Sequence, residues 1–220
     1  MHTQAARHPG EPAGTTHDYE QREGPPHDSR TTAAPDRPGR PPHPPHPNDM
    51  EKRPIFRYSL HAYENGVFAR GNFTCDCCGR QSEYAYNGAM YCIGQPPVVC
   101  PECIASGEAA RRFDGDFVQS ASQAVTDPAK RDELFHRTPG YPSWQGEYYP
   151  ACCDDFCTFV GDVGTEELEE MGIADELFAD YAARGGDPSV RDRLIAVGPT
   201  AGYLFRCLHC GAYHLHVDRE

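Results

Sequence analysis

Four short cysteine pairs dominate this chain: Cys75-x-x-Cys78, Cys100-Pro-Glu-Cys103, Cys153-x-x-x-Cys157 and Cys207-x-x-Cys210. A Cys-x-x-Cys turn sets two thiols on one side of a tight loop, and two such turns face to face complete a tetrahedron. Any fold open to the chain must therefore bring distant pairs together. The spacing predicts one tetrathiolate centre from Cys75, Cys78, Cys100 and Cys103, and a second from Cys153, Cys157, Cys207 and Cys210. Zn2+, two ions per chain, is the expected metal, although iron accepts the same four thiolates.

Disulfides are the competing use of cysteine. The total of eleven is odd, and the N-terminal Met1-His-Thr-Gln-Ala-Ala-Arg lacks the apolar core of a secretory signal. Both points favour the cytoplasm, where thiols stay reduced and clustered cysteines hold metal. No apolar run reaches the ~18 residues of a membrane span. The formal charge is −13, of which residues 1–50 carry only −2. An acidic body repels phosphate, so nucleic acid is a disfavoured partner and another protein the expected one. Oligomeric state is left open.

Composition divides the chain near residue 52. Residues 1–50 hold eleven prolines, six histidines (His2, His8, His17, His27, His43, His46) and few aliphatics. Such a segment buries too little to offset its ordering entropy, so residues 1–52 are expected to form a disordered Pro/His-rich tail. Met50 stands where folded-type sequence begins, which leaves a mis-assigned start as a second reading of residues 1–49.

Residues 53–220 read as one cysteine-rich α+β domain. The expected architecture is a small metal-stapled fold with treble-clef or zinc-ribbon knuckles, β-hairpins and several short helices. A first metal module is expected over about 70–115, and a second from about 139–160 with 200–218. Asn87-Gly88 predicts a type I′ hairpin between Glu83-Tyr-Ala-Tyr and Ala89-Met-Tyr. The stretch Ile104–Phe113 has helical spacing, and Asp127-Pro128 predicts an N-cap and first position of another helix. Two amphipathic helices broken near Gly172 follow, with Thr165 as N-cap and Leu168, Met171, Leu177, Phe178 and Tyr181 facing the core. The chain closes as strand, knuckle, strand around Cys207 and Cys210.

Three cysteines are spare. Cys77 lies inside the first knuckle, Cys92 is expected in the core, and Cys152 is placed to substitute for Cys153 or to lie just behind the metal. A site using His214 and His216 with Cys207 and Cys210 is the weaker alternative, since it strands Cys153 and Cys157. Structural zinc contributes roughly 10–16 kcal/mol of apparent binding energy in finger peptides, comparable to the roughly 5–15 kcal/mol net stability of a domain. Such closed sites are structural.

Catalytic motifs are scarce. Cys100-Pro-Glu-Cys103 superficially resembles a zinc-deaminase helix start, yet its Pro lies inside the pair and no His-x-Glu or Cys-x-Glu precedes it suitably. A thioredoxin-type βαβ setting, a phosphate-binding loop and Gly-x-Ser-x-Gly are all missing. One aromatic-polar stretch, Pro139-Gly-Tyr-Pro-Ser-Trp-Gln-Gly-Glu, is the place for a pocket. Beside a second metal with an open position, Ser143 to Glu147 with Asp154 and Asp155 would make a metal-dependent enzyme, Glu147 or Asp155 acting as general base. The leading reading has no catalytic residue.

The strings Phe73-Thr-Cys-Asp-Cys-Cys-Gly-Arg, Cys100-Pro-Glu-Cys-Ile-Ala-Ser-Gly, Phe113-Asp-Gly-Asp-Phe, Thr138-Pro-Gly-Tyr-Pro-Ser-Trp-Gln-Gly, Cys153-Asp-Asp-Phe-Cys and Tyr203-Leu-Phe-Arg-Cys-Leu-His-Cys-Gly resemble the bacterial CbrC family. The resemblance covers about residues 54–220. It implies that the cysteine pairs and the Ser-Trp-Gln stretch belong to one design, and that the protein acts in stress physiology or colicin tolerance. It implies no reaction.

Overall fold

The computed structural model describes residues 53–219. The readings of residues 1–52 as a tail and of Met50 as a start lie outside the described residues.

A turn closed by the Ser59 N–H to the Phe56 carbonyl (3.1 Å) opens the described chain. It swings Phe56 into one core, with Phe68 and Ile104, and Tyr58 into another, with Tyr149 and Phe159. Three residues thus stitch together the parts of the fold that carry the two cysteine groups.

In the first part, strands β1 (Phe68–Thr74) and β2 (Gln81–Tyr86) pair antiparallel, and the loop between them is the first cysteine knuckle. The hairpin expected at Asn87-Gly88 does not form. β1 takes up the ladder of β2, the Asn87 N–H goes to the Val67 carbonyl (2.9 Å), and Tyr91 bridges to Asp116. The knuckle supplies the reversal that Asn-Gly was expected to supply. Helices α1 (Pro101–Ala105) and α2 (Glu108–Phe113) follow, split where Gly107 adopts φ 71°. A single helix through Ile104–Phe113 is therefore corrected to two short ones.

Strand β3 (Ser120–Ala121) pairs parallel with β4 (Tyr148–Tyr149), and helix α3 (Pro128–Arg137) lies between them in sequence. The Asp127 carboxylate accepts the Ala129 N–H at 2.8 Å and Pro128 fills the first helical position, as the sequence predicts. A miniature hairpin, β5 (Ala151–Cys152) and β6 (Asp155–Phe156), leads into β7 (Thr158–Val163).

β7, β8 (Thr200–Arg206) and β9 (Tyr213–Arg219) form an antiparallel sheet in the order β7-β8-β9. The central strand is buried on both faces by strict alternation. Ala201, Tyr203 and Phe205 enter the aromatic core, whereas Leu204 meets Leu215 and the helices inserted after β7. Those helices are α4 (Thr165–Glu170) and α5 (Ala174–Ala183), followed by a 3-10 turn over Pro188–Asp192. Gly164, one residue before the expected Thr165, is the N-cap, because Glu167 reaches back to its N–H at 2.8 Å. Leu168, Leu177 and Phe178 are buried as expected, but Met171 is 44 % exposed where the chain turns at Gly172. The class is α+β, with small sheets and short helices around two groups of four cysteines. No helix among the described residues is long and apolar enough to cross a membrane.

Candidate metal centres

The two knuckles share one local design. In the first, the Cys75 N–H bonds to the Arg80 carbonyl (2.9 Å) and the Gly79 N–H to the Cys75 carbonyl (2.7 Å). In the second, the Cys207 N–H bonds to the Ala212 carbonyl (2.8 Å) and the Gly211 N–H to the Cys207 carbonyl (3.1 Å). Both loops leave through a left-handed glycine, Gly79 at φ 70° and Gly211 at φ 76°. Each turn points two thiols to one side and needs a second pair opposite.

For the first knuckle that pair comes from the start of α1, where Cys100 caps the helix and Cys103 lies in its first turn. Cys75, Cys78, Cys100 and Cys103 have their sulfurs within 4.8 Å of one another. These are the four residues the spacing grouped. Four sulfurs at about 2.3 Å from a common centre stand about 3.8 Å apart along each tetrahedral edge. The measured separations are 3.8 Å for Cys75–Cys103 and 4.0 Å for Cys78–Cys100. Both are far beyond the roughly 2.05 Å of a disulfide. Three of the four residues are buried.

The second group differs from its expected membership. The sulfurs brought together with Cys207 and Cys210 are those of Cys152 and Cys153, again all within 4.8 Å, and Cys157 is not among them. Cys152–Cys153 is 3.8 Å and Cys152–Cys210 is 3.6 Å. Neighbours on an extended strand point to opposite faces, so two adjacent cysteines rarely serve one centre. The β5–β6 turn removes that obstacle. Cys153 (φ 53°) and Asp154 (φ 58°) are both left-handed, the pattern of a type I′ turn, and the reversal returns the Cys153 thiol to the side of Cys152. Non-glycine residues there cost about 1 kcal/mol each. Cys157 lies beyond the turn, fully buried in the aromatic core, where burial pushes its thiol up to about 12. The signal for Cys152 was available in the Cys-Cys-Asp-Asp string, since Asp154 tolerates the left-handed conformation that a two-residue turn over Cys153-Asp154 needs. The Cys-x-x-x-Cys spacing outweighed it.

Each group holds one readily ionised thiol. Arg80 Nε sits 3.4 Å from the Cys78 sulfur and lowers that thiol to about 6. At Cys207 burial opposes ionisation, but the N–H groups of Cys210 and His209, at 3.5 and 3.4 Å, bring it to about 6. Burial pushes Cys100 up to about 12, and Cys103 and Cys152 upward too. Two thiolates about 4 Å apart repel, so a second cannot easily form without a counter-charge. A divalent cation held by the four thiols would supply it and would favour ionising them together. The donor set fits a soft or borderline metal ion.

Around the second group a buried carboxylate takes charge of the knuckle. Asp155 is fully buried and accepts from Tyr58 Oη (2.8 Å) and Arg57 (2.5 Å), with His209 Nε2 at 3.0 Å. The second group is also the more open of the two, with Cys153 and Cys210 exposed and Cys210 lining a cleft of about 530 Å³ beside α5. Cys77 is buried beside the first group, Cys92 is half-buried, and His214 and His216 lie along β9 outside the second group.

The residues proposed for a catalytic pocket are dispersed. Glu147 is buried and accepts from Tyr91 Oη (2.7 Å) and the Gln119 N–H (3.2 Å). Trp144 and Gln145 give their N–H groups to Asp218 Oδ2 at 3.1 and 3.0 Å. Asp218 pairs with Ala201, whereas Cys207 follows the other end of β8, about 20 Å along the strand. Of the named carboxylates, Asp154 and Asp155 lie beside the second group, and Asp155 is already fully engaged.

The model of an uncharacterised protein family, UPF0167, matches residues 53–219. A UPF0167 protein of Pseudomonas aeruginosa is 37% identical over 182 residues, covering 75% of this chain and 96% of its own. UPF0167 proteins of Mycobacterium bovis and Mycobacterium tuberculosis are each 34% identical over 179 residues, covering 76% of this chain and 94% of theirs. No solved structure matches the chain. These findings overturn the CbrC resemblance, because the same strings fall within a family model and relatives that carry another family's name. The colicin-tolerance implication goes with it. Matched over the whole described region and by relatives nearly end to end, this chain belongs to the UPF0167 family.

Proposed function

We propose that the protein is a metal-stapled interaction module, held by two structural Zn2+ ions in closed tetrathiolate sites and recognising a protein partner in the cytoplasm. The observation that carries the reading is the spacing of the sulfurs, 3.6 to 4.0 Å, which suits tetrahedral edges around a metal such as zinc. Four thiolates leave no position for a water or substrate, so the ions serve folding. The formal charge of −13 supports a polypeptide partner over nucleic acid. Free thiols in both groups suit a reducing compartment.

Metal analysis of the full chain tests the reading. Two zincs per chain are expected, and cobalt replacing them should give the absorption of tetrahedral four-sulfur coordination at both sites. A single metal, a coloured iron protein, or mixed oxygen–sulfur coordination at the second site would overturn it.

A further inference from the structure

Trp144 is the sole tryptophan of the chain and stands 62 % exposed. Its exposure is built rather than incidental. The buried Asp218 carboxylate receives the N–H groups of Trp144 and Gln145, and Tyr203 Oη lies 3.1 Å from the Trp144 nitrogen. A loop pinned in this way cannot fold its indole back into the core. Trp144 and Asp162 of β7 line one cleft of about 230 Å³, together with Pro142, Ala201, Tyr203 and Val197. Val197 is 73 % exposed at φ 57°, a conformation β-branched residues avoid. The Asp162 side chain, on an exposed residue, forms no hydrogen bond or ion pair among the described residues, and the surrounding protein raises its carboxyl pKa by desolvation. A carboxylate with no partner, screened from water on one side only, is disposed to pair with a cation.

We propose that this cleft receives a lysine or arginine side chain from a polypeptide partner, its cationic head against Asp162 and its stem along the Trp144 indole. Indole is the best aromatic face for a cation, and an ammonium or guanidinium would give the unpaired Asp162 carboxylate a charge-assisted hydrogen bond. The cleft falls below the roughly 300–1,000 Å³ of small-molecule pockets, which suits one side chain. The acidic chain would draw a basic segment toward it. This inference deepens the reading of the protein as an interaction module by naming the chemistry of its partner.

The lone tryptophan makes the test direct. The metal-loaded full chain is titrated with acetyl-Gly-Arg-Gly-amide, acetyl-Gly-Lys-Gly-amide and acetyl-Gly-Gln-Gly-amide while Trp144 emission is followed. A saturable change is expected with the two basic peptides and not with the glutamine peptide. Asp162→Asn, on an exposed position, should weaken it about tenfold, as should high salt. Trp144→Phe, followed by calorimetry, should weaken binding without abolishing the charge contact. No saturable response, an equal response to the glutamine peptide, or an unchanged response in Asp162→Asn would overturn the proposal. Equal saturation by free guanidinium would overturn the polypeptide as occupant. Zinc content of the same samples reads the metal sites separately: two zincs without a peptide response sinks the cleft alone.

Discussion

His209 Nε2 stands 3.0 Å from Asp155 Oδ2, which joins the loop of the second knuckle to a carboxylate buried under the β5–β6 turn. Through Tyr58 and Arg57 the same carboxylate also holds the first turn of the described chain. Asp155→Ala should therefore loosen the second group before the first. We expect a loss of about 2 kcal/mol, kept modest because Arg57 and His209 are half-exposed and can rehydrate. Denaturant unfolding gives the stability. Metal release to a colorimetric chelator should show one ion leaving faster and one unchanged.

Cys152 and Cys157 exchange roles relative to the spacing rule, and substitution separates them. Cys152→Ser should lower the metal content by one ion. Cys157→Ala should keep both ions and cost about 1 kcal/mol, the order of one small buried group. Metal stoichiometry of the two variants side by side decides the matter, and loss of an ion in Cys157→Ala would refute this grouping.

The exit glycines of the knuckles make a matched pair. Gly79 has open space around its Cα, so Gly79→Ala meets only the left-handed backbone, at about 1 kcal/mol. Gly211→Ala meets the same backbone beside the Arg206 side chain. Each should speed metal release from its own centre alone, measured by chelator competition.

Glu147 provides a pH signature away from the sulfurs. Burial raises its carboxyl pKa in the folded chain despite hydrogen bonds from Tyr91 and Gln119. The folded state thus holds its proton to higher pH than the unfolded chain, whose pKa is about 4.3. Stability contributed by this group is greatest below that value, falls as pH rises through the folded pKa, and is level above it. Glu147→Gln should remove this fall. The difference in unfolding midpoint between wild type and variant, in which the pH dependence of metal binding cancels, should shift in the variant's favour from pH 4 to pH 8. A flat difference would contradict the burial argument.

Much of the first cysteine group was legible because its two pairs sit in local devices. A Cys-x-x-Cys-Gly turn and a Cys-Pro-x-Cys helix start are set by residues next to one another. The Asp127-Pro128 helix start and the closing strand–knuckle–strand were legible for the same reason. Asn87-Gly88 misled because a turn propensity competes with the ladder already offered by β1, and pairing over the length of β2 outweighs one favoured dipeptide. Thr165 misled by one position, since Glu167 capped Gly164 instead.

What the sequence determined by itself is therefore that cysteines gather in two groups of four, which could hold metal, and the class of small α+β fold around them. Spacing constrains neighbouring ligands strongly, so Cys75, Cys78, Cys100 and Cys103 could be grouped by counting. The tertiary structure decided which thiols complete the second centre, because the left-handed Cys153-Asp154 turn put Cys152 at the sulfurs and carried Cys157 into the aromatic core. It also decided that Trp144 is exposed at a cleft it shares with Asp162, its backbone held by Asp218 from 74 residues away. Which thiols meet across such distances follows from which faces the packed strands present, and only packing sets those faces.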